Sequence, residues 1–222
     1  MNINSINNTA LRWMFKNRCK AHGHTYAAHP NCFIKEQNFQ ERVGFLDIET
    51  NHLKANFGHI MSYCIVDNHN KIWGRALTSD EVRDWNVLDK KLMQEFSQLV
   101  KTFDKLIVYY GRDYRMDIPF LRSRCIKHNI AFPLYKEIKV VDLYDIAKSK
   151  LSLHSCRLQN VCDFLGVPSK NHKLDVDLWV RANKGDPKAL KHVWKHNVED
   201  CYSTKKAYEK LAPFVASRNT SI

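Results

Sequence analysis

The stretch Arg42–Leu53, RVGFLDIETNHL, reads as a β-strand that contradicts itself. Val43 to Leu46 and Ile48 are mostly apolar, yet Asp47 and Glu49 stand two positions apart among them. Side chains at i and i+2 of a strand share a face. The two carboxylates would therefore lie side by side in hydrophobic company, where like charges repel and lose hydration. Something elsewhere in the chain must compensate them.

An acidic pair on one strand decides little alone, so other acids with the same awkward placement carry the weight. Asp117 follows LIVYYGRDYRM (106–116) and opens the apolar IPFL (118–121), where the end of a strand turns into a helix. Asp200 falls in a late helix whose apolar side is Val193, Trp194, Val198 and Cys201. His196, four residues earlier, shares a face with it. Asp47, Glu49, Asp117 and Asp200 together offer the oxygen-rich ligand set that hard cations such as Mg²⁺ or Mn²⁺ prefer. Two such cations about 3.5–4 Å apart activate a water and stabilise the leaving oxygen of a phosphodiester. His196 has the chemistry to take the proton of that water.

Around these residues the pattern is regular. VGFLDIE (43–49), HIMSYCIVD (59–67) and KIWGRAL (71–77) read as three strands, with hairpin chemistry in DNHN (67–70). Thr78 and Glu81 have capping-box spacing, and Leu88, Leu92, Phe96, Leu99, Val100 and Phe103 continue one apolar stripe, predicting a helix through this region. KLIVYYG (105–111) predicts a short buried strand, IPFLRSRCIKHN (118–129) a helix with proline in its first turn, and IKVVDLY (138–144) a fifth strand. RLQNVCDFLGVP stops at Gly166 and Pro168. A last helix starts with Asp186 as N-cap and Pro187 at N1 and runs to about Leu211. The expectation is an α/β architecture, a mixed five-stranded sheet of three antiparallel strands followed by parallel ones, flanked by helices.

The chain has 222 residues, enough for one domain with a substantial core. Its 35 Lys and Arg against 23 Asp and Glu give a net charge of +12, which favours a polyanionic partner, most simply nucleic acid. Arg112, Arg115, Arg122, Arg124 and Lys127 form one basic cluster; Lys170, Lys173, Arg181, Lys184, Lys188, Lys191 and Lys195 form another. Arg112 and Arg115 are expected to bind substrate. Seven cysteines at scattered spacing do not read as a disulfide framework, and Cys64, Cys125, Cys162 and Cys201 are expected as buried thiols. No apolar run approaches the roughly 20 residues of a membrane span. The first twenty residues lack the apolar region of a secretory signal. An intracellular, cytoplasmic location with no membrane partner is the expectation.

Three segments carry a family resemblance. FLDIETNHL, VYYGRDYRMDIPFL and HNVEDCYSTKKAYEKL resemble, in order, the three motifs of the DEDD exonuclease superfamily on the ribonuclease H-like fold. LSLHSCRLQNVCDFLGV and KLDVDLWVRANKGDPKAL are similar to an uncharacterised group of 3′–5′ exonucleases within it. The likeness covers roughly residues 43–215. It implies that Asp47, Glu49 and Asp200 bind the cation carrying the nucleophilic water. Asp47, bridging, and Asp117 would serve a second cation. Thr50 and Leu53 match positions that contact the terminal nucleotide, and His196 takes the place of the general base. A single-stranded 3′ end of DNA or RNA is the implied substrate.

The chain also departs from that pattern. His196 and Asp200 have the spacing of the tyrosine subclass but the residue of the histidine subclass, so Tyr202 stands as an alternative base. Tyr110 and Met116 replace the usual Asn and Phe of the second motif. The Gly111–Asp117 interval is long, making Asp113 a rival that MDIPFL disfavours. Asp142 in VVDLYDI reads as mainly structural. Two other functions are carried alongside the exonuclease: a non-catalytic or weakly active nucleic-acid-binding module, and a structure-selective endonuclease.

Residues 1–41 form a separate polar, basic, His-rich segment before the domain at 42–222. CKAHGHTYAAHPNC (19–32) contains Cys19-x₂-His22 and His29-x₂-Cys32, a donor set suited to tetrahedral Zn²⁺, with His24 able to replace His22. The competing readings are a polar arm packed on the main domain, and an arm whose Arg12, Lys16, Arg18 and Lys20 touch nucleic acid.

Overall fold

The computed structural model describes residues 8–19, 23–28, 41–112, 115–134, 137–168 and 172–215. Strand β1 (Val43–Thr50) lies at the centre of a five-stranded sheet, between β2 (Ile60–Asp67) and β4 (Lys105–Val108). Strand β3 (Ile72–Ala76) flanks β2, and β5 (Lys139–Asp142) flanks β4, giving the order β3-β2-β1-β4-β5. The β1–β2 and β2–β3 pairs are antiparallel, whereas β1–β4 and β4–β5 are parallel. This is the mixed sheet the sequence predicts. Every residue of β2 is buried, as its near-continuous apolar run requires of a strand covered on both faces.

The alternation of β1 sorts its side chains into two cores. Leu46 and Ile48 pack with Tyr63, Phe96, Val108 and Leu121, on the side of α3 (Lys90–Val100) and α4 (Asp117–Lys127). Phe45 belongs to the opposite cluster with Ile107, Leu143, Ala147, Val161, Ala207 and Leu211. That face holds α5 (Leu143–Lys150), α6 (Leu158–Phe164) and the long α8 (Pro187–Leu211), with α7 (Val176–Asn183) packed on α8. Full burial of a Leu, Ile or Phe side chain stabilises by about 1.5–3 kcal/mol, so these two cores lock the strand's register. Asp47 and Glu49, in phase with Phe45, necessarily face α8. At Gly44 a Cβ would lie 2.6 Å from Ile65 Cγ2, so the strand approaches its neighbours as only glycine allows.

Local chemistry sets the element ends. At the β2–β3 turn, Asp67 Oδ1 accepts the N–H groups of His69 and Lys71, each at 2.9 Å, while Asn70 adopts φ +66°. Asp186 caps α8 through the Lys188 and Ala189 N–H groups, with Pro187 in the first turn, as predicted. The helix expected from Thr78 onward is instead two helices, a correction. The capping box forms as predicted on α2 (Ser79–Arg83), but the chain then turns before α3. Asp84 Oδ1 accepts the Asn86 N–H at 2.9 Å, a local turn that competes with helix continuation. Asp89 is fully buried, accepting from Ile60 N–H (2.9 Å), Arg124 Nε (2.7 Å) and Arg124 Nη2 (2.6 Å), with His128 Nε2 at 2.7 Å.

That network also corrects the first basic cluster: Arg124 is not a surface residue but 1% exposed, paired to Asp89. Strands β4 and β5 are shorter than the apolar runs suggest, because Tyr110 turns to φ +58° and Asp142 caps α5 through the Tyr144 N–H. Cys64, Cys125, Cys162 and Cys201 are buried thiols, as expected.

Ahead of the sheet, α1 (Asn8–Lys16) leads into a turn in which Cys19 N–H donates to the His24 carbonyl at 2.8 Å. Met14, Cys19 and Tyr26 form a small buried cluster there. His22, His29 and Cys32 lie outside the described residues, as does Asp113. Among the described residues no helix is long and apolar enough to cross a membrane.

Candidate active site

Three elements deliver four carboxylates to one place. β1 supplies Asp47 and Glu49, the N-terminus of α4 supplies Asp117, and the middle of α8 supplies Asp200. The β1–β2 ladder shifts register between Glu49 and Thr50, so regular pairing ends just past the acidic pair. Burial is the largest influence on Asp47, and the charges of Asp200, Asp117 and Glu49 add to it, pushing its carboxyl well above the ordinary value. Asp117 is raised for the same first reason, followed by the charges of Asp142, Glu49 and Asp200. Mutual elevation of this kind marks crowded carboxylates, whose repulsion a cation between them would relieve.

Within the cluster, His196 Nε2 stands 3.5 Å from Asp200 Oδ2 and 3.6 Å from Glu49 Oε1. Its Nδ1 hydrogen-bonds the backbone carbonyl of His172. A carbonyl only accepts, so Nδ1 carries a hydrogen and donates it, and Nε2 is the nitrogen that faces the acids. Donor atoms of Glu49, His196 and Asp200 all lie within 4.8 Å of one another, an arrangement able to hold a metal ion. Asp117 Oδ2 is buried with no hydrogen-bond partner. A buried, unpartnered carboxylate oxygen on a residue crowded by other carboxylates is expensive unless a cation relieves it, so the donor set fits divalent metal. Tyr202, the alternative base, is not brought to this place. Its hydroxyl donates to the Asn70 carbonyl (3.2 Å) beyond the opposite end of β2.

Several residues that build the site escaped the sequence reading. Asn197, fully buried on α8, donates Nδ2 to Asp47 Oδ2 at 2.6 Å, and Ser62 Oγ donates to Asn197 Oδ1 at 3.2 Å. No local signal marks Asn197 in the sequence, because its partner on β1 lies 150 residues away. Asp142, by contrast, was expected as mainly structural and is an anchor: its carboxylate accepts the N–H groups of Tyr110 (2.8 Å), Gly111 (3.1 Å) and Arg112 (3.1 Å) in succession. Gly111 is obligatory there, since a Cβ would collide with Asp117 Oδ2.

The expected substrate residues are differently placed. Arg115 is held by Asp142 (2.6 Å) and Asp145, with its guanidinium 4.9 Å from both the Tyr110 and Tyr144 ring centres. Arg112 is half exposed, with Nη2 4.0 Å from Asp145. Thr50 Oγ1 donates to the His52 carbonyl at 2.9 Å, and Leu53 is 76% exposed on the loop that follows β1.

A family model described as the RNase_H superfamily matches residues 44–212, and the chain belongs to that superfamily. The match embraces all five strands, apart from Val43 at the start of β1, and all four acids. A DNA polymerase of Archaeoglobus fulgidus is 32% identical over 95 residues, covering 36% of this chain and 12% of the polymerase. The family B DNA polymerase of the hyperthermophilic archaeon Pyrobaculum calidifontis shares the fold with a TM-score of 0.62. Its identity is 18%, over 79% of this chain and 25% of that one. The chain thus spans a small part of the length of the polymerases it resembles.

Proposed function

We propose that this protein is a metal-dependent nuclease that hydrolyses phosphodiester bonds of nucleic acid, acting as a 3′–5′ exonuclease of the DEDD type. The observation that carries the reading is the convergence of Asp47, Glu49, Asp117 and Asp200, with the Asp117 Oδ2 buried and without a partner. A module that only bound a polyanion would gain nothing from four carboxylates facing it. Membership of the RNase H superfamily supports a nuclease-type function, and the polymerase relatives support a nucleic-acid substrate.

In this reading two divalent cations, Mg²⁺ or Mn²⁺, supply an activated water and neutralise charge at the leaving oxygen when bound. Asp47, Glu49 and Asp200 would hold one, and Asp47 with Asp117 the other. Asn197 keeps Asp47 oriented. His196 Nε2 takes the proton of the attacking water, its ring held by the His172 carbonyl. Arg112, Thr50 and Leu53 meet the strand's end. The exposed lysines along the first half of α8 neutralise its phosphates.

The test is incubation with DNA and RNA strands labelled at either end, in Mg²⁺ or Mn²⁺, with Asp47→Ala and Asp200→Ala as controls. A stepwise ladder from the 3′ end, lost in both variants, is the expected result. Tight binding without cleavage would identify a binding module, and internal cuts an endonuclease. Zinc in the N-terminal segment, on Cys19, His22, His29 and Cys32, is a separate proposal. Metal analysis of a Cys19→Ser/Cys32→Ser variant tests it, and unchanged zinc content would rule it out.

A further inference from the structure

We propose that Glu199 is a positioning residue for His196, acting through the backbone of His172. The inference rests on His196 working among the acids, and its physical basis is a clasp between α8 and the segment before α7. His192, His196 and Glu199 are spaced by four and three residues, so they lie along one face of α8. All three reach the same two residues. His192 Nε2 donates to the Lys173 carbonyl at 3.0 Å, and His196 Nδ1 donates to the His172 carbonyl. Glu199 accepts the His172 N–H at 2.9 Å with one oxygen and the His172 Nδ1–H at 2.6 Å with the other.

His172 is thus gripped at its N–H, its ring and its carbonyl, and the His192 ring stands edge-on against it with centres 5.1 Å apart. Residues 172–175 have no regular secondary structure. A carbonyl on such a segment can fix an imidazole only as firmly as it is itself fixed, and the two Glu199 contacts do that fixing. The consequence reaches the reacting end of the ring. With Nδ1–H committed to the carbonyl, the ring is held so that Nε2 faces Glu49 and Asp200. Without the carbonyl, the ring is free to turn away from them. The clasp therefore fixes which ring nitrogen faces the acids, and at what angle.

The experiment measures the His196 hydrogen bond and turnover separately on the full chain. Long-range ¹H–¹⁵N correlation spectra of ¹⁵N-histidine-labelled protein are expected to show a slowly exchanging Nδ1–H on His196 in the wild type, and a rapidly exchanging one in Glu199→Ala. Turnover of labelled strands in Glu199→Ala is expected to fall roughly 10–100-fold in kcat, the range for partners that orient groups at metal sites, with KM changed far less. Glu199→Gln is expected to rescue both readouts, because its amide oxygen accepts the His172 N–H and its NH₂ donates to the other His172 tautomer.

A wild-type His196 with no protected hydrogen on Nδ1 would overturn the proposal without any variant, so the test survives should Glu199→Ala fail to fold. A folded Glu199→Ala with unchanged Nδ1–H exchange and kcat would overturn it equally. If the wild type cleaves nothing, the nuclease reading fails, and the exchange spectra still decide whether the clasp exists.

Discussion

Asn197 and Asp47, 150 residues apart in sequence, are joined by a 2.6 Å hydrogen bond from amide nitrogen to carboxylate oxygen. The final helix thereby holds the carboxylate of the first strand, and Ser62 on β2 in turn holds the amide. Burial and the neighbouring carboxylates raise Asp47, whereas this bond favours its charged form. Asn197→Ala should cost about 1–3 kcal/mol in urea unfolding, as expected when buried partners lose a hydrogen bond. It should also weaken Mg²⁺ binding in calorimetry, because Asp47 loses both its orientation and its stabilising donor. An unchanged unfolding midpoint would show that the amide is ornamental.

Crowding of the carboxylates makes the metal-free protein sensitive to alkali. Asp47 and Asp117 are raised above the ordinary 3.8, so the native state binds more protons than the unfolded chain over that interval. Stability without cation should therefore fall as pH rises from about 4 through the raised values. Saturating Mg²⁺ should remove this decline, since cations replace the protons. Asp117→Asn should stabilise the metal-free protein by roughly 0.5–2 kcal/mol while abolishing cleavage, the usual trade between stability and activity. Thermal unfolding in EDTA and in Mg²⁺ across pH 4–8 checks both statements.

The Asp89–Arg124 pair behaves in the opposite sense. Burial alone would raise Asp89, but hydrogen bonds from Arg124 and the Ile60 N–H, with the Arg124 charge, overcome it and hold the carboxyl below its ordinary value. This contribution is fully present above the unfolded value near 3.8 and is lost as pH falls through the lower folded one. Arg124→Met should cost about 3–5 kcal/mol at neutral pH, because it strands a buried charge. Its penalty should shrink in acid, read as converging urea midpoints of wild type and variant below pH 4.

Lys188, Lys191 and Lys195 are exposed and follow one face of α8 toward His196. Replacing all three by Gln should weaken binding of single strands uniformly across sequences. The slope of log affinity against log salt should fall by about 0.7 for each lost phosphate contact. Fluorescence anisotropy at several salt concentrations measures this, and an unchanged slope would move the nucleic acid to another face.

Much of this molecule can be read along the chain where the governing physics is local. The alternation of β1, the Thr78–Glu81 box, the Asp186–Pro187 start and the His196–Asp200 spacing are all short-range patterns, and each has its counterpart in the structure. Long-range pairings were the illegible part. Asp89 interrupts a helical stripe because its partner Arg124 lies 35 residues away, and the same pairing removes Arg124 from the basic surface. Asn197 looks like any polar residue until β1 is laid against α8. The support of His196 is a backbone carbonyl, which every residue possesses and no sequence can advertise.

Asp142 and the loop it anchors bear on what holds Asp117 in place. The carboxylate grips three successive amides at the start of the loop, Tyr110 to Arg112, and the Gly111 carbonyl accepts the Ile118 N–H at 2.9 Å where α4 begins. Entry and exit are thus stapled together, and Arg115 is tied to the same Asp142 carboxylate. The position of the Asp117 carboxylate is therefore set by Asp142, two strands away from β1 in the sheet, as much as by the residues that precede it in the chain.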